Sequence, residues 1–167
     1  NPVYPYTSWE TAATNLHQVT NGLANGDVVI INTGTYYVVS QISLVQGVTI
    51  TGVSTNPEDV VITRNLNVTN RIFYLSYLNA MIANLTVSNG HGTGGDPTGY
   101  GGGVCLSGGI VSNCIITHNT TARNAGGIGI YQNNPSPKII KNCIIKYNTA
   151  PTPTEGSGGG IGIYHSI

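Results

Sequence analysis

An all-β chain is predicted by three observations in the 167 residues: a right-handed parallel β-helix, or solenoid, begun by an N-terminal amphipathic capping helix. First, one phrase occurs three times, as Asn84-Leu85-Thr86-Val87-Ser88-Asn89, Asn113-Cys114-Ile115-Ile116-Thr117-His118-Asn119 and Asn142-Cys143-Ile144-Ile145-Lys146-Tyr147-Asn148. The leading asparagines stand 29 residues apart. Second, a glycine phrase recurs between them: Gly102-Gly103-Val104-Cys105-Leu106, Gly126-Gly127-Ile128-Gly129-Ile130-Tyr131 and Gly159-Gly160-Ile161-Gly162-Ile163-Tyr164. Self-similarity at a fixed period marks a repeat architecture whose units stack. Third, the first 26 residues carry a helical pattern and none of the repeat.

The cap comes first in the chain, over 1–26. Thr7-Ser8-Trp9-Glu10 fits a capping box. Trp9, Ala12, Ala13, Leu16, Val19 and Leu23 then follow helical spacing, which predicts a helix over about 8–24. Gly22 weakens its far end, and Asn25-Gly26 stops it. Such a helix covers an end of the solenoid core that would otherwise expose apolar side chains and strand amides. If Trp9 is fully buried there, its loss costs roughly 3–5 kcal/mol.

The remainder, 27–167, reads as β-helix turns of a single domain, roughly five of them at this period. Period-2 patterning predicts strands over 28–32, 42–44, 48–51, 60–63, 72–75 and 82–87, separated by Asn-Pro, Gly and Ser-Thr clusters. In the repeats, Leu85/Cys114/Cys143 and Val87/Ile116/Ile145 point inward, and Thr86/Ile115/Ile144 outward. Two asparagine ladders are expected, Asn84/Asn113/Asn142 and Asn89/Asn119/Asn148. Stacked amides hydrogen-bond from turn to turn, and asparagine accepts a left-handed corner. The cysteines read as small buried apolar residues with free thiols; a disulfide between adjacent turns is geometrically possible but tightly constrained. The segments 90–100, 120–125 and 149–157 differ in length, as insertions on one face of a solenoid do. The chain stops just after a glycine-phrase strand, so the expectation is that further turns or a neighbouring copy cover that end. Self-association through it is the corresponding partner expectation.

Composition narrows the function classes. Charged residues make up 7%, against a typical ~25%, and the net charge is zero. No basic stripe is present to neutralise phosphates, which argues against nucleic acid. No apolar run is long enough for a membrane-spanning helix.

The segments 6–16, 25–30 and 34–36, from Tyr6-Thr7-Ser8-Trp9 through Asn25-Gly26-Asp27-Val28 to Gly34-Thr35-Tyr36, are similar to something known. They resemble the cap and first turn of bacterial secreted proteins with parallel β-helix repeats, in the pectate-lyase-like superfamily. The later phrases resemble the repeats of that group and of β-helical surface adhesins. The resemblance implies the fold and a secreted or cell-surface location. The group holds lyases, hydrolases and adhesins alike, and no position here matches a catalytic motif of theirs, so no catalytic residue is carried over.

An enzyme on this fold needs clustered carboxylates. The six acids are Glu10, Asp27, Glu58, Asp59, Asp96 and Glu155, and no two share a repeat position. No catalytic residue, cofactor or metal set is therefore assigned; a His91–His118–Asp96 metal set is the weaker reading. Gly90-His91-Gly92-Thr93-Gly94-Gly95 has dinucleotide-loop spacing, but Asp96-Pro97 follows where a helix must open. Lys138, Lys141 and Lys146 read as solubilising charges. Asn67, Asn84 and Asn119 begin N-x-T sequences of a kind expected by chance in an Asn- and Thr-rich chain. His118, at a corner with Tyr147 and Ser88, gathers with His91, Asp96 and Tyr100 into a candidate carbohydrate-binding set: His91, Asp96, Tyr100, His118 and Tyr147. Aromatic rings with polar edges stack on sugars.

The function expected is a non-catalytic structural or adhesive module that binds polysaccharide or cell-surface glycan. The alternatives are the front part of a polysaccharide lyase or glycoside hydrolase whose active site lies outside this chain, and a self-assembling filament subunit.

Overall fold

The structure is a computed structural model and describes residues 6–93, 99–132, 135–150 and 158–164. One short helix, α1 (Leu16–Thr20), precedes β1 (Val28–Ile31), β2 (Gly34–Val38), β3 (Ile42–Leu44), β4 (Thr49–Gly52), β5 (Val60–Arg64) and β6 (Phe73–Ser88). Then follow β7 (His91–Gly92), β8 (Val104–Thr117), β9 (Thr120–Thr121), β10 (Ile128–Tyr131), β11 (Lys138–Lys141), β12 (Ile144–Lys146) and β13 (Ile161–Tyr164).

All strand pairings among the described residues are parallel, and the chain coils as a β-solenoid with three faces. The first face stacks β1, β4, the middle of β6, the middle of β8, and β11. The second stacks β2, β5, the ends of β6 and β8, and β12. The third stacks β3, the starts of β6 and β8, β10 and β13. A small fourth ladder joins β7 to β9, and Thr120 bridges to Thr149.

Register explains why the repeats look alike. A parallel in-register stack puts the same side-chain type at the same point of every turn, so each inward position becomes a column. Val29, Ile50, Ile82, Val111 and Ile140 form one column on the first face. Tyr36, Ile62, Val87, Ile116 and Ile145 form another on the second. Ile50, Ile62, Ile82, Val87 and Ile116 are fully buried. Each such aliphatic side chain contributes roughly 1.5–3 kcal/mol relative to exposure.

Leu85 and Cys114 face inward as expected and are buried, and Cys143 packs against the same core. Thr86 and Ile115 alternate outward, yet both are buried. Thr86 Oγ1 donates to Pro57 O at 2.8 Å, which places the 53–59 loop over that part of the outer face. At the far end of the third-face columns, Ile161 and Ile163 lie over Ile128 and Ile130 and are exposed.

The cap differs from the helix expected over about 8–24. Only Leu16–Thr20 is helical, and its N-cap is Asn15, whose Oδ1 accepts from His17 N at 2.8 Å. Trp9-Glu10-Thr11-Ala12 forms a separate turn closed by Ala12 N donating to Trp9 O at 3.4 Å, with Thr11 Oγ1 donating to Ser8 O just before it. Ser, Thr and Asn side chains offer the backbone local bonds that compete with a helix ladder, and they are dense between Thr7 and Asn15. Leu16 is buried and Val19 and Leu23 pack on the core, but Trp9 is 55% exposed and does not anchor the cap. No helix among the described residues is long and apolar enough to cross a membrane.

Candidate functional site

Two vertical lines of left-handed residues mark the corners that flank the second face. Asn84, Asn113 and Asn142, at φ 56°, 49° and 53°, stand before it. Asn113 Nδ2 donates to Asn84 Oδ1 at 2.9 Å, and Asn84 Nδ2 donates to Thr51 Oγ1 at 3.1 Å. Asn89, His118 and Tyr147, at φ 56°, 54° and 55°, stand after it.

This second line corrects the register expected for the other ladder. Ser88 pairs with Thr117, and Thr117 with Lys146, so Asn89 shares its position with His118 and Tyr147, and Ser88 does not. Asn119 and Asn148 align instead with Gly90. Asn119 Oδ1 accepts from Gly90 N at 2.8 Å, and Asn148 Oδ1 accepts from Asn119 N and Nδ2 at 2.9 and 3.0 Å. Asn119 Nδ2 also donates to Val87 O, and Asn148 Nδ2 to Ile116 O. Asn119 is completely buried. The inner line is thus a structural amide ladder, and the outer line is an exposed ridge.

On the ridge, His118 and Tyr147 are in contact, with ring centroids 5.4 Å apart and planes tilted by 37°. His118 Nδ1 and Thr117 Oγ1 are hydrogen-bonded at 2.9 Å, which fixes the imidazole's orientation. Tyr147 is 71% exposed, and Lys146 Nζ lies 5.7 Å from its ring centroid. One turn earlier, Asn89 Nδ2 donates to Thr63 Oγ1, and Arg64 Nε donates to Asn89 O at 2.7 Å. The ridge therefore carries an amide, an imidazole and a phenol in a line parallel to the solenoid axis, with the cations Arg64 and Lys146 beside it.

The remaining expected site residues divide. His91 lies in β7 beside Thr120, just past the ridge, and its N–H donates to Asn70 O. Partial burial, with help from the Arg64 charge, lowers its pKa and favours the neutral imidazole. Tyr100 does not join the site: it is 1% exposed, with its ring 4.4 Å from Tyr164 and 6.2 Å from Tyr131. Its loop is held by Arg71 Nε donating to Gly101 O, and it packs so closely over β10 that only glycine fits at 129. Burial of an aromatic that stacks on two others outweighs exposure in a glycine-rich loop. Asp96 lies outside the described residues.

Tyr131 and Tyr164 stack on successive turns, with planes 4° apart and centroids at 5.7 Å, a pair outside the expected set. The repeated Gly-Ile-Gly-Ile-Tyr phrase was its signal. A hollow of about 1090 Å³ between residues 6–22 and β1 is lined by Trp9, Val28 and Ile30; of its carboxylates, Asp27 accepts from Ala24 N in a turn.

All three cysteines are free. Cys114 and Cys143 are neighbours on successive turns: the adjacent Cys114 thiol brings the pKa of Cys143 down to about 7, while Cys143 and burial push that of Cys114 well up. Among the described residues no three His, Cys, Asp or Glu side chains gather into a metal-holding group. Comparison with protein-family models, with curated proteins and with solved structures returned no match.

Proposed function

We propose that the protein is a non-catalytic extracellular or cell-surface β-helix module, of the pectate-lyase-like and adhesin-like kind and of bacterial type, that binds polysaccharide along the Asn89–His118–Tyr147 ridge. The observation that carries this reading is the pair His118 and Tyr147, both exposed and in ring contact at positive φ. A left-handed conformation costs a non-glycine residue roughly 1–2 kcal/mol, and asparagine is the side chain that tolerates it. The same position on the previous turn is Asn89. Two aromatic side chains held where asparagine serves better for stability support a role in recognition, since strain concentrates at functional sites.

A phenol and an oriented imidazole present ring faces for stacking on sugars, with polar edges for hydroxyl groups. The low surface charge favours neutral or weakly charged glycans over phosphate-rich partners. The described carboxylates support a non-catalytic role. Asp27 accepts from Ala24 N in a turn, and Asp59 accepts from Asn56 Nδ2 at 2.9 Å in another. They are spread over the cap and the 53–59 loop, and hydrolysis needs a facing pair.

The test is a glycan array with wild type and the His118→Asn and Tyr147→Asn variants. Wild type is expected to bind one glycan class, and both variants to lose it while remaining folded. Equal binding by the double variant, or new reducing ends or unsaturated products on incubation with the glycan, overturns the reading.

A further inference from the structure

We infer that Cys114 and Cys143 form a binding site for one soft, two-coordinate cation of the Cu(I) class. The two residues occupy the same position on successive turns, because the residues after them, Ile115 and Ile144, pair in register. Their sulfurs also have equivalent surroundings. Cys114 Sγ lies 3.2 Å from Ser112 O and 3.8 Å from Ile82 O, and Cys143 Sγ lies 3.2 Å from Lys141 O and 3.6 Å from Val111 O. Copies related by one turn place the sulfurs about 4.8 Å apart, the spacing of neighbouring strands.

That spacing decides between the two things a thiol pair can do. Two metal–sulfur bonds, about 2.3 Å each for zinc and shorter for a two-coordinate ion, span at most about 4.6 Å, so a linear S–metal–S unit fits with only a slight approach of the strands. A disulfide needs an S–S distance of about 2.05 Å and Cβ atoms within about 3.5–4.5 Å, so the two turns have to pinch together. The core columns on either side of the pair resist that movement.

Ligand number then decides the cation. Zinc takes four ligands in structural sites and three in catalytic ones. No group of three or more His, Cys, Asp or Glu is available among the described residues. The four carbonyl oxygens near the sulfurs are hard donors, which leaves two soft ones, the donor set that selects Cu(I). Cys114 is buried and Cys143 only partly so, and the ion enters past Cys143. Binding exchanges the two thiol protons for the cation, with both S–H bonds broken, two S–Cu bonds formed and no change of oxidation state. The site then carries a single negative charge, and the strands that flank Cys143 carry the exposed Lys141 and Lys146.

The test is an anaerobic titration of the reduced, full chain with Cu(I) delivered from a coloured chelator. Expected are uptake of one Cu(I) per chain, a thiolate-to-metal band in the near ultraviolet, and release of protons from the thiols. Cys105→Ser is expected to retain all three signals, and Cys143→Ser to lose them with an unchanged circular dichroism spectrum. Cys143→Ala serves the same purpose if serine disturbs the turn. Absence of stoichiometric uptake by wild type overturns the inference, as does uptake that survives both Cys143 variants. Ready air oxidation to a Cys114–Cys143 disulfide, with no change in melting, overturns the spacing argument and with it the proposal.

Discussion

The amide of Asn119 occupies the space that a side chain on residue 103 would need: a Cβ built on Gly103 meets Asn119 Nδ2 at 2.8 Å. One turn on, a Cβ on Gly127 meets Asn148 Nδ2 at 3.0 Å and the backbone oxygen of Gly160 at 2.5 Å. The two repeated phrases of the sequence are therefore halves of one packing unit, the asparagine filling what the glycine leaves empty. Gly103→Ala and Gly127→Ala are each expected to lower stability by about 1–3 kcal/mol or more. Gly160→Ala, whose nearest neighbour is Ile145 Cγ2 at 3.5 Å, is expected to change little. Asn119→Ala strands the buried Gly90 N–H and is expected to cost roughly 3 kcal/mol. Denaturant melts of the four variants check the order; equal stability of Gly127→Ala and Gly160→Ala would contradict it.

The ridge gives the opposite sign. His118→Asn and Tyr147→Asn place the residue type of position 89 at the same left-handed corner, and each is expected to leave stability unchanged or raise it by up to about 1 kcal/mol. Thermal melts at constant pH check this. A clear loss of stability in either variant would mean that the aromatic pair is there for the fold.

At the cap, exposure separates two apolar residues that look alike in the sequence. Leu16 is 7% exposed and Trp9 55%. Leu16→Ala is expected to cost about 2–5 kcal/mol. Trp9→Ala is expected to cost under about 1 kcal/mol, as surface changes do. A larger loss at Trp9 than at Leu16, measured by urea unfolding, would refute this account of the cap.

Cysteine reactivity is expected to be selective and pH-dependent. The thiolate is the reacting form, and Cys143, half-exposed, has its pKa brought down to about 7 by the Cys114 thiol. Its alkylation rate falls as pH drops through about 7, whereas that of an ordinary thiol is already falling below about 8.5. Cys114 and Cys105 are buried, with raised pKa values, and stay unlabelled in the native state. Peptide mapping after brief iodoacetamide treatment at several pH values reads this directly. Labelling of Cys105 or Cys114 ahead of Cys143 would contradict it.

The coil was legible because parallel, in-register stacking writes itself into sequence as repetition, so the columns through Leu85–Cys114 and Val87–Ile116 follow from spacing alone. The neighbouring ladder was misplaced by one residue because Asn89 and Asn119 look equivalent while Gly90 conceals the true column. The helix was overextended because an apolar stripe from Trp9 to Leu23 records spacing, whereas Asn15 and its neighbours set the local hydrogen bonds. Tyr100 was assigned to a surface site because its glycine-rich surroundings read as an open loop. Its stacking on Tyr131 and Tyr164 depends on turns that lie 31 and 64 residues further on, and no local signal records that.

The measurement that bears most directly on the ridge is an amide NMR titration of the isotope-labelled 17.4 kDa chain with the glycan that the array selects. The predicted result is saturable shifts concentrated at Asn89, His118, Lys146 and Tyr147, absent in the Tyr147→Asn variant. Shifts concentrated at Tyr131 and Tyr164, or in the hollow lined by Trp9 and Val28, would contradict the assignment of the ridge as the binding surface.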